Sequence, residues 1–316
     1  MPPPSDDARA FHEALPGYAP TPVRRLSEDV AVKDESDRLG LPAFKILGAS
    51  WAVERALRDR PETHTLVTAS AGNHGRAVAR VAAWRGLKAR IYLPARAVRA
   101  RREAIAAEGA DVVVIDGDYE QAVALAAAEG AESGKLEIAD VGDSGPAHSV
   151  IDGYATLFAE AAEQAEFDLL IVPVGVGSLA AAAARFGARA GVKVIGAEPV
   201  TAACLTASLA AGRPTNVRTP GTTMAGLDCA EVSSAAWPSL RDGIHSTVTV
   251  TDAEAHAAMR ELADAGMRIG DSGAAPLAAL RALGAKPGPD ARVLLIATEG
   301  ATDPAGYAKR TRRSAS

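Results

Sequence analysis

Apolar residues along the chain fall into short, nearly continuous runs separated by longer Ala-rich stretches in which charged residues recur. The short runs cover residues 65–68, 89–93, 111–115, 169–174, 192–197 and 293–298, and β-branched residues are frequent in them. Being mostly apolar on both faces, they suit parallel strands covered by helices on either side. The stretches between them, such as 73–85 and 97–108, have helix-favouring composition, and Gly86, Gly109 and Gly191 stand where those helices should stop. Strand, helix, strand, helix in succession predicts an α/β fold of mostly parallel, twisted sheets with helices on both faces.

With 316 residues the chain can bury a large core, and it reads as two lobes. Residues 137–147 are richer in Asp, Gly, Ser and Pro and read as the return from a smaller lobe. That divides the chain into a large domain of 1–64 with 145–316 and a smaller α/β domain of 65–144. Hydrophobic residues at 48% and charged residues at 23% exclude a disordered or fibrous chain. The 34 basic residues are scattered among 39 acidic ones, which leaves no stripe for a phosphate backbone and argues against nucleic acid as a partner. Cys204 and Cys229 are too few for a disulfide framework and lack the spacing of a zinc site. No metal is therefore expected, and a reducing, cytoplasmic location is. The first residues carry neither the basic flank nor the apolar run of an export signal, no apolar run has membrane length, and 309–316 read as a frayed basic tail.

Of seven lysines, six lie among Gly, charged or helix-surface residues that predict solvation. Lys45 is the exception: it sits between Phe44 and Ile46, at the start of a predicted helix running to about residue 58. Desolvation favours the neutral amine, the nucleophile that an aldehyde cofactor requires. A lysine that snorkels past apolar neighbours fits the same residues, so neighbouring motifs must decide.

Two strand-to-helix turns carry anion-binding character. The run 169–174 leads into Gly175, Val176, Gly177, Ser178 and Leu179 and then an Ala-rich helix, where backbone N–H groups and a helix N-terminus can receive a phosphate. Gly175, Gly177 and Ala180 also fit a dinucleotide pattern, with Glu198 at a suitable distance for a ribose contact, so an NAD-dependent dehydrogenase is a rival, as is a turn without ligand. The run 65–68 leads into Ser70, Ala71, Gly72, Asn73 and His74, whose backbone donors can bind a substrate carboxylate while the Asn73 amide meets a ring oxygen. Helix capping by Ser70 or Asn73 is the alternative. His74, alone at a helix start, fits a packed, hydrogen-bonded ring as well as a ligand or base.

Phe44 with Lys45, the turn at Ser70 to Gly75, the loop from Gly175 to Leu179 and Thr298 with Glu299 and Gly300 resemble, in order and spacing, the tryptophan-synthase-β-like pyridoxal-phosphate family, fold type II. Residues 15–22, 33–36, 73–76, 175–178, 223–227 and 271–274 resemble its diaminopropionate ammonia-lyase branch. The resemblance implies a two-lobed fold type II architecture with pyridoxal 5'-phosphate as cofactor. By it, Lys45 is the Schiff-base lysine and α-proton base, Asn73 meets the ring oxygen, and Gly175 to Leu179 hold the phosphate. Thr298 is the hydroxyl residue that faces the pyridine nitrogen, an arrangement that does not enforce a protonated ring as a carboxylate would and so suits α,β-elimination. The implied activity is elimination of ammonia from a small β-substituted amino acid, giving a 2-oxo acid and ammonia. Serine or threonine dehydration and β-replacement of the cysteine-synthase type are the neighbouring chemistries. Related enzymes are commonly dimers, so a homodimer acting on a small amino acid is expected. One departure stands out: the branch carries Asp immediately before Gly-Asn-His, and this chain has Ala71. That implies either Lys45 acting as the sole α-proton base on L-configured substrates or a substrate other than diaminopropionate, with Asp140 or Asp143 as further acids or as Asx-turn residues. The chain is also short for that branch.

Overall fold

The computed structural model describes residues 4–70, 72–95, 97–284 and 291–312, with side chains from residue 8 onward. In chain order it begins with α1 (Pro4–Glu13), β1 (Val23–Arg25), β2 (Val30–Asp34), α2 (Lys45–Asp59), β3 (Thr65–Ala69), α3 (Asn73–Trp84), β4 (Lys88–Pro94), α4 (Arg99–Ala106), β5 (Asp111–Ile115), α5 (Tyr119–Gly130), β6 (Lys135–Glu137) and α6 (Gly145–Gly153). It continues with α7 (Ala155–Gln164), β7 (Leu169–Pro173), α8 (Ser178–Ala190), β8 (Lys193–Pro199), α9 (Cys204–Ala211), α10 (Trp237–Gly243), β9 (Ser246–Val250), α11 (Asp252–Asp264), α12 (Asp271–Ala282), β10 (Val293–Ala297) and α13 (Pro304–Thr311). The expected α/β alternation is present. Gly86, Gly109 and Gly191 have φ of 66°, 91° and 70°, the left-handed backbone that ends a helix at little cost only in glycine.

These elements form two compact units, residues 1–12 with 45–153 and residues 13–44 with 154–316. The first holds a four-stranded parallel sheet in the order β5-β4-β3-β6. β3 lies inside that sheet, and all five of its residues are buried. The second holds a six-stranded sheet in the order β1-β2-β10-β7-β8-β9, parallel except where β1 pairs with β2. Its central strands β7 and β10 are wholly buried, and α12 is buried from Asp271 to Leu280 in the same core as Met259, Leu262 and Ile269.

The structure departs from the sequence expectation in four respects. The units do not divide at residues 65 and 144, because α2 and α6 pack tightly together within the first unit. A Cβ on Gly153 would stand 2.8 Å from Leu47 O and 2.9 Å from Gly48 Cα, so these helices meet backbone to backbone. Lys45 therefore belongs to the unit of β3 and α3. Strands β1, β2, β6 and β9 were not anticipated: two are three residues long, β2 contains Lys33 and Asp34, and β9 is an edge strand of alternating hydroxyl and Val residues. Residues 309–311, read as part of a basic tail, continue α13, and 313–316 of that tail lie outside the described residues.

The fourth departure is Lys33, which the surrounding residues assign to solvent but whose side chain is wholly buried, as are those of Glu35, Arg38 and Glu160. Lys33 Nζ donates to Glu160 Oε2 and to Thr21 O, each at 2.7 Å. Arg38 bonds both Glu35 and Glu160, and Tyr18 Oη donates to Glu160 Oε1 at 2.6 Å. Two cations against two carboxylates keep the cluster neutral, which makes its burial tolerable. Burial alone would raise the Glu160 carboxyl, but Arg38 and then Lys33 outweigh it and hold it down at about 2. Lys33 moves the other way: its desolvation exceeds the attraction of Glu160 and Glu35 and lowers its pKa.

Candidate active site

In the first unit Lys45 is the first residue of α2. Its side chain is 21% exposed, and Nζ donates to Asp140 Oδ2 at 2.8 Å. Asp140 follows β6, whose pairing with β3 is extended by Ile138 N donating to Val67 O at 2.8 Å. His74, one residue into α3 and buried, bonds through Nε2 to Ile138 O at 2.8 Å. A carbonyl can only accept, so Nε2 carries the proton and, in the neutral ring, Nδ1 is an acceptor. Nδ1 lies 3.8 Å from Asp140 Oδ2.

Burial alone would raise the Asp140 carboxyl, but the neighbouring His74 and Lys45, the latter also through its hydrogen bond, more than reverse that and hold it well below the usual carboxylate range. Burial pushes the His74 pKa down, so near neutral pH its ring is uncharged and the Lys45 ammonium is the counter-ion that acts. Asp140 is thus an ion-pair partner of Lys45. Asp143 is exposed and meets His148 at 2.8 Å.

The turn after β3 lies in the same unit. Ser70 N donates to Tyr92 O, and Gly72 N donates to Ser70 Oγ at 3.3 Å. The N-cap of α3 is Gly72, not Ser70 or Asn73. Asn73 opens the helix, and a Cβ at Gly75 would collide with Ser70 O at 2.5 Å, which ties the turn closely to its helix. Ala71 lies outside the described residues.

In the second unit β7 leads through Val174 to Gly175, Val176 and Gly177, and α8 begins at Ser178. Gly177 is the N-cap of α8 with φ +93°, and a Cβ there would stand 2.6 Å from Leu240 Cδ1. A Cβ on Gly175 would stand 2.7 Å from Gly226 O. Val176 O accepts from Ser233 N at 2.8 Å, and Ser178 and Leu179 are buried at the start of a 13-residue helix. The result is a rigid backbone turn ahead of a positive helix end, suited to an anion. Thr298 is buried just beyond β10, and its carbonyl accepts from Phe44 N at 3.3 Å.

The dinucleotide alternative loses its acidic residue. Glu198, wholly buried, accepts from Leu205 N at 2.7 Å, Thr206 N at 2.9 Å and Thr206 Oγ1 at 2.7 Å, and burial pushes its pKa up. It is occupied at the start of α9. Among the described residues no group of three or more His, Cys, Asp or Glu could hold a metal, and no helix is long and apolar enough to cross a membrane.

Sequence reasoning named Lys45, Ser70, Gly72, Asn73, His74, the glycine loop and Thr298, but it left Asp140 undecided. The missing signal was pairing: β6 lies parallel to β3, so the segment after β6 emerges beside the turn after β3, at the strand ends where α/β sheets bind ligands.

Residues 14–299 match the family model described as pyridoxal-phosphate dependent enzyme. The diaminopropionate ammonia-lyase of Escherichia coli strain K12 is 32% identical over 355 aligned positions, covering 95% of this chain and 89% of that protein. The alignment is longer than this chain, which therefore lacks internal segments that the relative carries. The biosynthetic L-threonine dehydratase of the same organism is 30% identical over 81% of this chain and 50% of its own length. The crystal structure of the Escherichia coli diaminopropionate ammonia lyase in complex with an aminoacrylate-PLP azomethine reaction intermediate superposes with a TM-score of 0.89 at 30% identity, over 98% of this chain and 91% of that one. The fold type II expectation is borne out. A lysine at a helix start, an anion-binding glycine turn and this likeness along nearly the whole length lead to one assignment: the chain belongs to the pyridoxal-phosphate dependent enzyme family.

Proposed function

We propose that the chain is a lyase that eliminates ammonia from a small β-substituted amino acid of the 2,3-diaminopropionate kind, giving a 2-oxo acid and ammonia. The observation that carries this reading is the extent of the likeness to diaminopropionate ammonia-lyase, 95% of this chain and 89% of the relative, far beyond the cofactor motifs.

The residues suit a phosphate-bearing aldehyde. Gly175 and Gly177 stand where a Cβ would close the turn, at the N-terminus of a helix, and Lys45 supplies an amine held beside a carboxylate. Pyridoxal phosphate, when bound, supplies an electron sink for the charge that develops at Cα. Lys45 holds it through Nζ and, when free, takes the α-proton. Gly175, Val176, Gly177, Ser178 and Leu179 would receive the phosphate, Asn73 would meet the ring oxygen, and Thr298 would serve the ring nitrogen with a hydroxyl. Ser70, Ala71, Gly72, Asn73 and His74 take the substrate carboxylate. Ala71 supplies no carboxylate, so Lys45 acts as the α-proton base on L-configured substrates. The reading carries with it a homodimer in the cytoplasm, in keeping with a chain of only two cysteines.

Dehydration of serine or threonine is the second reading, favoured by the likeness to threonine dehydratase. The test is ammonia and 2-oxo-acid release from L-diaminopropionate, L-serine, L-threonine and O-acetylserine, the last with and without sulfide. Fastest release from L-diaminopropionate supports the lyase. Release from hydroxy amino acids alone supports the dehydratase, and sulfide-dependent loss of 2-oxo acid supports replacement.

A further inference from the structure

We infer that Asp140 is a specificity-determining residue that selects substrates bearing a cationic β-substituent, its carboxylate receiving the β-ammonium in the position that the Lys45 ammonium holds in this structure. The inference rests on the reading of Lys45 as the cofactor lysine and α-proton base.

The argument begins from charge. Asp140 is largely enclosed, and Lys45 Nζ faces it at 2.8 Å. The other basic group beside it, His74, is neutral near pH 7 and has its one proton engaged by Ile138 O. A lysine can take a proton only as the neutral amine, so at the moment Lys45 acts as base Asp140 no longer faces an ammonium there. An enclosed carboxylate deprived of its cation is costly, and a substrate that brings its own ammonium relieves that cost. A β-ammonium does so through a charge-assisted hydrogen bond, whereas a β-hydroxyl offers only a neutral donor.

The same contact serves the leaving group. Beside the Asp140 carboxylate the β-nitrogen stays protonated. When Lys45 Nζ takes the α-proton, the Cα electron pair forms the Cα–Cβ double bond. As it forms, the Cβ–N bond breaks with its pair passing to nitrogen, and neutral ammonia departs. Lys45 is now an ammonium and again faces Asp140, so the carboxylate meets one cation before the step and one after it. His74 fits this arrangement by fixing Ile138, two residues before Asp140.

The test compares wild type, Asp140→Asn and Asp140→Ser holoenzymes with L-diaminopropionate and L-serine. Measured quantities are KM, kcat and, independently of turnover, the substrate dissociation constant from the shift in the bound cofactor's absorbance. In both variants the preference for L-diaminopropionate over L-serine, as a ratio of KM and of dissociation constants, falls roughly ten- to hundredfold, the range for loss of one charge-assisted hydrogen bond. An unchanged ratio with intact cofactor absorbance overturns the inference and leaves the lyase reading standing. Wild type provides a measurement free of any folding defect: it must bind L-diaminopropionate more tightly than L-serine, and equal binding overturns the inference too. Failure of the underlying reading is seen elsewhere, as absence of ammonia release by wild type or unaltered cofactor absorbance in Lys45→Ala.

Discussion

Lys33 Nζ stands 2.7 Å from Glu160 Oε2 with both side chains wholly buried, so one carboxylate of α7 secures β2 from within the core. Glu160→Gln leaves Lys33 and Arg38 short of a buried counter-charge and should cost about 3–5 kcal/mol. The ionised Glu160, held at about 2 against an ordinary 4.5, gives its stabilisation in full above pH 4.5. That contribution, on the order of 3 kcal/mol, is lost as pH falls from there towards 2. Urea midpoints measured at pH 7, 4 and 3 should fall more steeply for wild type than for Glu160→Gln.

Lys45→Ala should abolish the covalent cofactor absorbance and lower turnover roughly a thousandfold or more, since both attachment and proton removal are lost. It also removes the ammonium 2.8 Å from Asp140. The apoprotein variant should therefore unfold at lower urea than wild type, and adding Asp140→Asn should recover part of the loss. The double-mutant cycle is expected to show a coupling of about 0.5–3 kcal/mol, and strict additivity would count against the pair.

Gly175→Ala pushes a methyl group against Gly226 O, 2.7 Å from the Cβ position, and a backbone carbonyl cannot swing aside as a side chain can. Cofactor affinity should drop about tenfold or more, read by titrating apoprotein with pyridoxal phosphate, because the amides that receive phosphate are displaced. Gly145→Ala, where a Cβ meets nothing within 4 Å, is the control and should titrate like wild type.

Ala71 leaves the turn after β3 without the carboxylate of the ammonia-lyase branch. Ammonia release from D-diaminopropionate should be about a hundredfold or more slower than from the L-isomer, the scale of losing one positioned base. Ala71→Asp should narrow that gap, and rapid release from the D-isomer by wild type would refute the assignment of Lys45 as sole base.

The legible parts of the fold were those with a local cause. β7 and β10 are apolar throughout and β3 is wholly buried because both faces are covered, and Gly86, Gly109 and Gly191 end helices because their backbone is left-handed. Lys33 was misread because its burial depends on Glu160, 127 residues away, and no neighbouring residue reports that partner. Asp140 was ambiguous for a related reason: in a run of Asp, Gly and Ser a carboxylate resembles a turn residue until β6 pairs with β3. The cofactor lysine was legible through company more than through its own surroundings, for Lys33 is more deeply buried than Lys45 and has no turn chemistry beside it.

Glu198 shows how a fold can close off a neighbouring chemistry. A glycine turn followed by an acidic strand end invites redesign towards a nicotinamide nucleotide, yet every polar contact recorded for this carboxylate holds the first turn of α9. Turning it outward would strip the amides of Leu205 and Thr206 of their acceptor, so a designer would have to rebuild that helix start before any ribose could be accommodated. Ligand repertoire in this scaffold is thus limited by an internal commitment of the chain as well as by the shape of its turns.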